Sequence, residues 1–98
     1  MIRIVFTYEV RKEKQDEYLK VTADQIKPFW ESHGCDAYTL WQSLWQSPEE
    51  STTFVKEMVF KDEPTMQRTM SLEDGQPIKK LFSQFATGVT RATYRQVV

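Results

Sequence analysis

Apolar residues fall at every second position from Ile2 to Val10, as Ile2, Ile4, Phe6, Tyr8 and Val10, with Arg3, Val5, Thr7 and Glu9 between them. A period of two predicts a strand. The pattern then changes. Glu13, Asp16 and Glu17 suit the positive end of a helix. Leu19, Thr22, Ala23, Ile26, Trp30 and His33 follow at helical spacing beside Phe29, and Gly34 suits the residue just past the helix end. Pro28 lies inside this run and predicts a kink or restart near Gln25 to Lys27.

Strands are predicted over 37–46 and 53–60, with a turn at 47–51. Asp62 can cap a short helix with Pro64 in its first turn, and Met66 and Met70 share one side of it. The stretch 72–76, containing Gly75, interrupts. Pro77 starts a second helical piece with Ile78, Leu81, Phe82 and Phe85 at offsets of 0, 3, 4 and 7, and Gly88 is expected to end it. Residues 90–98 read as the last strand.

The order β, α, β, β, α, β predicts an α+β fold of the ferredoxin-like type. Two right-handed crossovers put both helices on one face of a four-stranded antiparallel sheet ordered 4-1-3-2. The whole chain, 1–98, is expected to be a single domain.

The strand faces make one copy insufficient. Trp41 and Trp45 point one way from the second strand, and Tyr38, Leu40 and Leu44 the other. In the third strand, Phe54, Met58 and Phe60 oppose Val55 and Val59; in the first, Val5 opposes the main apolar set. Helices cover one face only, so the other would expose more apolar surface than monomers usually tolerate. The second strand would also be a long unpaired edge. A two-fold homodimer packed through the sheet face answers both problems.

Composition narrows the partners. The chain has 98 residues and a formal net charge of −1, with no basic stripe, so nucleic acid is not expected. An RNA-recognition module shares the βαββαβ order, but 54–60 has no Gly and contains Glu57. No apolar run could span a bilayer, and the start lacks the features of a signal peptide, so a cytoplasmic location and no membrane partner are expected. One Cys and one His cannot make an internal disulfide or a Cys/His metal cluster, and no metal is expected.

At this level the chain resembles the dimeric α/β-barrel superfamily, including its antibiotic-biosynthesis-monooxygenase-like (ABM-like) domains. The resemblance rests on the strand 2–10, the Ser32-His33-Gly34 turn, the strand 37–46, and the run from Phe54 through Lys56 and Asp62 to Pro64. It implies a dimeric α/β barrel. It also implies a small-molecule-processing protein, a cofactor-independent monooxygenase acting on an aromatic or polyketide-like substrate. Haem-degrading members place a His on the second helix where this chain reads Arg68-Thr69-Met70, so haem is not implied. The rhamnose mutarotase branch has a His inside the first helix, where this chain reads 19–22 as Leu-Lys-Val-Thr.

Candidate chemistry follows from residue types. His33, the one imidazole of the chain, is a candidate base at a pocket mouth, with Tyr38 as a second catalytic candidate; a solvated helix-end role is the alternative for His33. Trp41, Trp45, Tyr8 and Trp30 are candidate ligand-binding residues for a flat aromatic molecule, or else core and interface packing. Cys35 reads as a small buried apolar residue. Arg91 and Arg95, with Arg3 near them, could hold an anionic substrate, or pair with Glu57 or Glu9 across strands. The competing functional reading is a non-catalytic small-ligand-binding or stress-associated homodimer.

Overall fold

The computed structural model describes residues 1–44 and 49–98. The predicted order holds. Strand β1 (Ile2–Arg11) leads through a 3₁₀ turn to helix α1 (Gln15–Val21), a π-helical turn at Thr22–Ile26, and helix α2 (Lys27–Ser32). Strands β2 (Ala37–Gln42) and β3 (Ser51–Phe60) follow, then helix α3 (Glu63–Met70), a 3₁₀ turn, helix α4 (Gln76–Ser83) and strand β4 (Thr87–Arg95). The strands lie in the order β2-β3-β1-β4, every pairing antiparallel, which is the expected topology and a ferredoxin-like α+β fold. Among the described residues, no helix is long and apolar enough to cross a membrane.

Pro28 sits in the first turn of α2, where its missing N–H costs little. The chain reaches it by widening one turn into a π-helix, the disturbance expected at Gln25 to Lys27. That wide turn shifts the helix phase. Tyr18, Thr22, Ile26 and Trp30, four residues apart, face inward, whereas Leu19, Ala23 and His33 are exposed. The inward face expected from 3.6-residue spacing is therefore corrected at those three positions. Gly34 ends α2 at φ 123° as expected, with Cys35 N–H donating to the Trp30 carbonyl. A Cβ there would lie 2.2 Å from Thr69 Oγ1, which itself donates to the His33 carbonyl.

Asp62 caps α3 by accepting from the Thr65 N–H at 2.8 Å, and that contact holds its carboxyl below the usual range. Other boundaries move. Strand β2 pairs as far as Gln42; one further bond joins Ser43 N–H to the Thr53 carbonyl, and the chain bends at Leu44. The remainder of the expected strand lies outside the described residues. Gly88 does not end α4. It stands inside β4 at φ 61°, where two steps along β1 from Thr7 to Glu9 oppose three along β4. This is a bulge that needs a residue able to adopt positive φ. Pairing thus begins at Thr87, three residues earlier than the alternation suggests.

The core lies between sheet and helices. Ile4, Tyr8 and Val10 of β1, Phe54, Met58 and Phe60 of β3, and Tyr38 of β2 meet Tyr18, Ile26 and Trp30 from the helices. Burying such a side chain stabilises the fold by roughly 1.5–3 kcal/mol. The Tyr8 and Tyr18 hydroxyls bond to one another in this interior. The opposite sheet face carries Val5, Val55, Val59, Ala37 and the exposed Trp41, bordered by threonines and an Arg3–Glu57 ion pair at 3.2 Å.

Candidate functional site

Strand alternation delivers one unexpected residue to the interior. In β3, Thr52, Phe54, Met58 and Phe60 all face the helices, and period two forces Lys56 to face them too. Lys56 is 4% exposed. Its Nζ lies 3.5 Å from the Phe82 ring centre, 4.3 Å from Phe6 and 5.7 Å from Tyr38. No carboxylate or hydrogen-bond acceptor reaches it among the described residues. Burial, and then the neighbouring Arg91 guanidinium, hold its pKa down to about 7. The Phe6, Phe82 and Tyr38 ring faces pull the other way, since they favour the ammonium form.

Lys56 borders a cavity of about 240 Å³. The sheet contributes Phe6, Met58 and Arg91 to its wall. The helical side contributes Trp30 from α2, Met70 from α3, and Ile78, Lys79, Phe82 and Ser83 from α4. Lys79 Nζ donates to the Met70 carbonyl, closing the gap between α3 and α4. Gly75 seats Trp30: a Cβ there would come within 2.9 Å of Trp30 Cη2. The result is an apolar slot with a neutralisable amine inside it and a guanidinium at its rim. Such a slot can hold a ring and take a proton from it.

A larger hollow, about 750 Å³, lies on the other side of the sheet between Met1, Ala37, Val59, Tyr94 and the chain end at Val98. It is broad and open, and none of the groups with a displaced pKa borders it. The smaller cavity is the better chemical site for that reason.

The fold divides the aromatic residues singled out from the sequence. Trp30 borders the small cavity, and Tyr8 and Tyr38 are buried on the same side of the sheet. Burial raises both phenol pKa values, and the Tyr38 hydroxyl has no partner among the described residues. Trp41 points from the opposite face, 56% exposed, and Trp45 lies outside the described residues. His33 is exposed at the end of α2, stacked on Phe29, with Nδ1 near the Phe29 carbonyl and the Ser32 hydroxyl. Cys35 is buried, its thiol pushed up mainly by burial. Arg3 faces away from Arg91 and Arg95, because Arg91 and Arg95 stand opposite Phe6 and Ile2 on the helix side. Arg95 pairs with Glu63 at 3.1 Å, and Arg3 pairs with Glu57 as the cross-strand alternative anticipates.

Lys56 went unmarked among the sequence candidates. Its signal was available: a lysine on the apolar phase of an otherwise regular alternation. Such a residue is either at a strand end, where it can reach water, or buried at a cost, and Lys56 is mid-strand.

The comparisons with known proteins agree with this architecture. No curated protein matches the sequence. Among solved structures, HapK from Hahella chejuensis aligns with TM-score 0.80 at 13% identity, covering 99% of this chain and 93% of that one. A point mutant of SnoaB, described as a cofactor-independent oxygenase from Streptomyces nogalater, aligns with TM-score 0.78 at 15% identity, again covering 99% and 93%. A conserved protein from Methanosarcina mazei Go1 aligns with TM-score 0.71 at 25% identity, covering 97% and 91%. The sequence model named antibiotic biosynthesis monooxygenase matches residues 1–75, which hold β1, α1, α2, β2, β3 and α3, and the chain belongs to that family.

Proposed function

We propose that the protein is a cofactor-independent monooxygenase acting on a small electron-rich aromatic, with Lys56 as the base. One observation carries this reading: an unpaired lysine amine, largely neutral just above pH 7, faces an apolar, ring-lined cavity in a fold of this family. SnoaB, a structural neighbour, is described as a cofactor-independent oxygenase, which supports the same class of chemistry here.

Size limits the substrate. A dry cavity of about 150 Å³ takes one benzene. The 240 Å³ slot therefore suits a substituted ring or two fused rings, such as a hydroquinone or a 1,4-dihydroxynaphthalene. The neutral Lys56 amine takes a hydroxyl proton from the ring. The phenolate passes one electron to O₂, and the radical pair recombines at an adjacent ring carbon as a hydroperoxide. Loss of water leaves a hydroxyquinone. One oxygen atom stays on the ring and the other leaves in water. All four electrons come from the substrate, and the Lys56 ammonium returns its proton to the departing hydroxide. Trp30 packs against the ring, and the Tyr38 ring stands 5.7 Å from the Lys56 Nζ.

The functional unit in this reading is a cytoplasmic homodimer of residues 1–98. Its sheets pack through the face that carries Val5, Val55, Val59 and Trp41, a stripe that a second copy would cover.

Oxygen uptake on a panel of hydroquinones and 1,4-dihydroxynaphthalenes tests the reaction. Uptake should rise with pH through about 7, as Lys56 loses its proton. Lys56→Met should lower it by about 10²–10⁴-fold, the usual worth of a positioned base. Uptake unchanged in Lys56→Met removes the base from the scheme. A ligand retained unaltered, with no uptake across the panel, favours the non-catalytic binding reading instead.

A further inference from the structure

Every charged side chain on the wall of the small cavity is a cation. Lys56 lies inside it, and Arg91 and Lys79 also border it. No carboxylate lines it among the described residues. Neighbouring basic residues are handled differently: Arg3 and Arg95 each face a glutamate within 3.2 Å. Arg91 has no ion pair among the described residues, although it lies between Arg95 and the bulge on the same strand. Its guanidinium stands 5.7 Å from the Phe6 ring centre, and the Lys56 amine stands 4.3 Å from that same ring. The guanidinium and, below about pH 7, the Lys56 ammonium thus share one aromatic wall with no counter-ion among the described residues, an arrangement that raises the energy of both. An arriving anion would relieve it.

We propose that the cavity takes an anionic aromatic, a ring bearing a carboxylate, with the carboxylate on the Arg91 guanidinium at the rim and the ring against Phe6 and Phe82 beside Lys56. This deepens the reading of the same cavity as the reaction site and rests on it for the position of the ring. Guanidinium suits the task because its planar fork donates two parallel hydrogen bonds to a carboxylate. Lys79 adds a second positive charge on the α4 side while its Nζ stays tied to the Met70 carbonyl. The carboxylate also has a consequence at Lys56: Arg91 is one of the two causes that keep the amine neutral, so neutralising Arg91 raises the amine's proton affinity and moves upward the pH at which it is free to take a proton.

The test is isothermal titration calorimetry with 2,5-dihydroxybenzoate and its neutral counterpart 2,5-dihydroxybenzamide. The acid should bind at least tenfold more tightly than the amide and weaken as salt rises. That preference should vanish in Arg91→Gln and recover in part in Arg91→Lys, which keeps the charge without the fork. Arg91 is exposed on an edge strand, so both variants should fold as the parent does. Repeating the titration at pH 8 in two buffers of different ionisation enthalpy should reveal proton uptake with the acid and none with the amide. Equal binding of acid and amide, or an acid preference that survives Arg91→Gln, overturns the proposal. Its fate is separable from that of the oxygenase reading. Arg91-dependent binding of the acid without oxygen uptake sinks the oxygenase and leaves the anion site standing. Equally fast oxygenation of the amide does the reverse.

Discussion

Lys56 should make the protein more stable as pH rises from 7 to 9, and Lys56→Met should abolish that gain. Burial and Arg91 move the amine from 10.5 to about 7 in the folded chain. The displacement corresponds to ~5 kcal/mol of destabilisation at acidic pH, as an order of magnitude. The sign follows from proton counting. Below pH 7 both states hold the proton, and the folded state carries the full burden of a buried ammonium. Between about 7 and 10.5 the unfolded chain binds a proton that the folded chain has released. Stability therefore climbs by about 1.4 kcal/mol per pH unit through that window. Methionine matches the lysine stem in shape and carries no charge. Lys56→Met should be more stable than the parent by a few kcal/mol at pH 6, and the gap should narrow steadily towards pH 9. Urea unfolding at pH 6, 7, 8 and 9 measures it. Taking the difference between the two proteins cancels Cys35, Tyr8, Tyr18 and Tyr38, whose raised pKa values pull the other way at higher pH. Parallel profiles for the two proteins, or a methionine variant less stable at every pH, would refute the buried-amine account and with it the base.

Gly34→Ala should destabilise the fold by roughly 1–3 kcal/mol for the left-handed backbone alone, and further because the new methyl group would displace Thr69 from its bond to the His33 carbonyl; a urea midpoint within error of the parent would count against that tight approach. Trp41→Glu should convert the proposed dimer to a monomer of unchanged far-ultraviolet circular dichroism, read by sedimentation velocity at micromolar concentration. A parent protein that already sediments as a monomer would remove the dimer from the functional reading.

Much of the fold was legible because its causes are local. The alternation of Ile2 to Val10, the Asp62 cap with Pro64 behind it, and the Gly34 stop each depend on neighbours a few residues away. The misplacements share a different cause. The inward phase of α1 and α2 depends on a π-helical turn, and nothing in the spacing of Leu19 and Ala23 distinguishes one extra residue in a turn. Gly88 reads equally well as a helix stop or a bulge until β1 is laid beside it. The candidate site was less legible still. Aromatic residues that look like one cluster in the sequence divide between two faces of a sheet. Trp41 stands opposite Val55 on one side, while Tyr38 stands opposite Met58 on the other.

By itself, then, the sequence determined the order of elements, the antiparallel topology and the side of each strand that is apolar, since period and punctuation act at short range. Tertiary structure alone decided that Lys56 is enclosed by Phe6, Phe82 and Tyr38, and that Arg91 rather than a glutamate stands near it. A lysine's ionisation depends on the water and charge around it in three dimensions, and those come from strands and helices far apart along the chain.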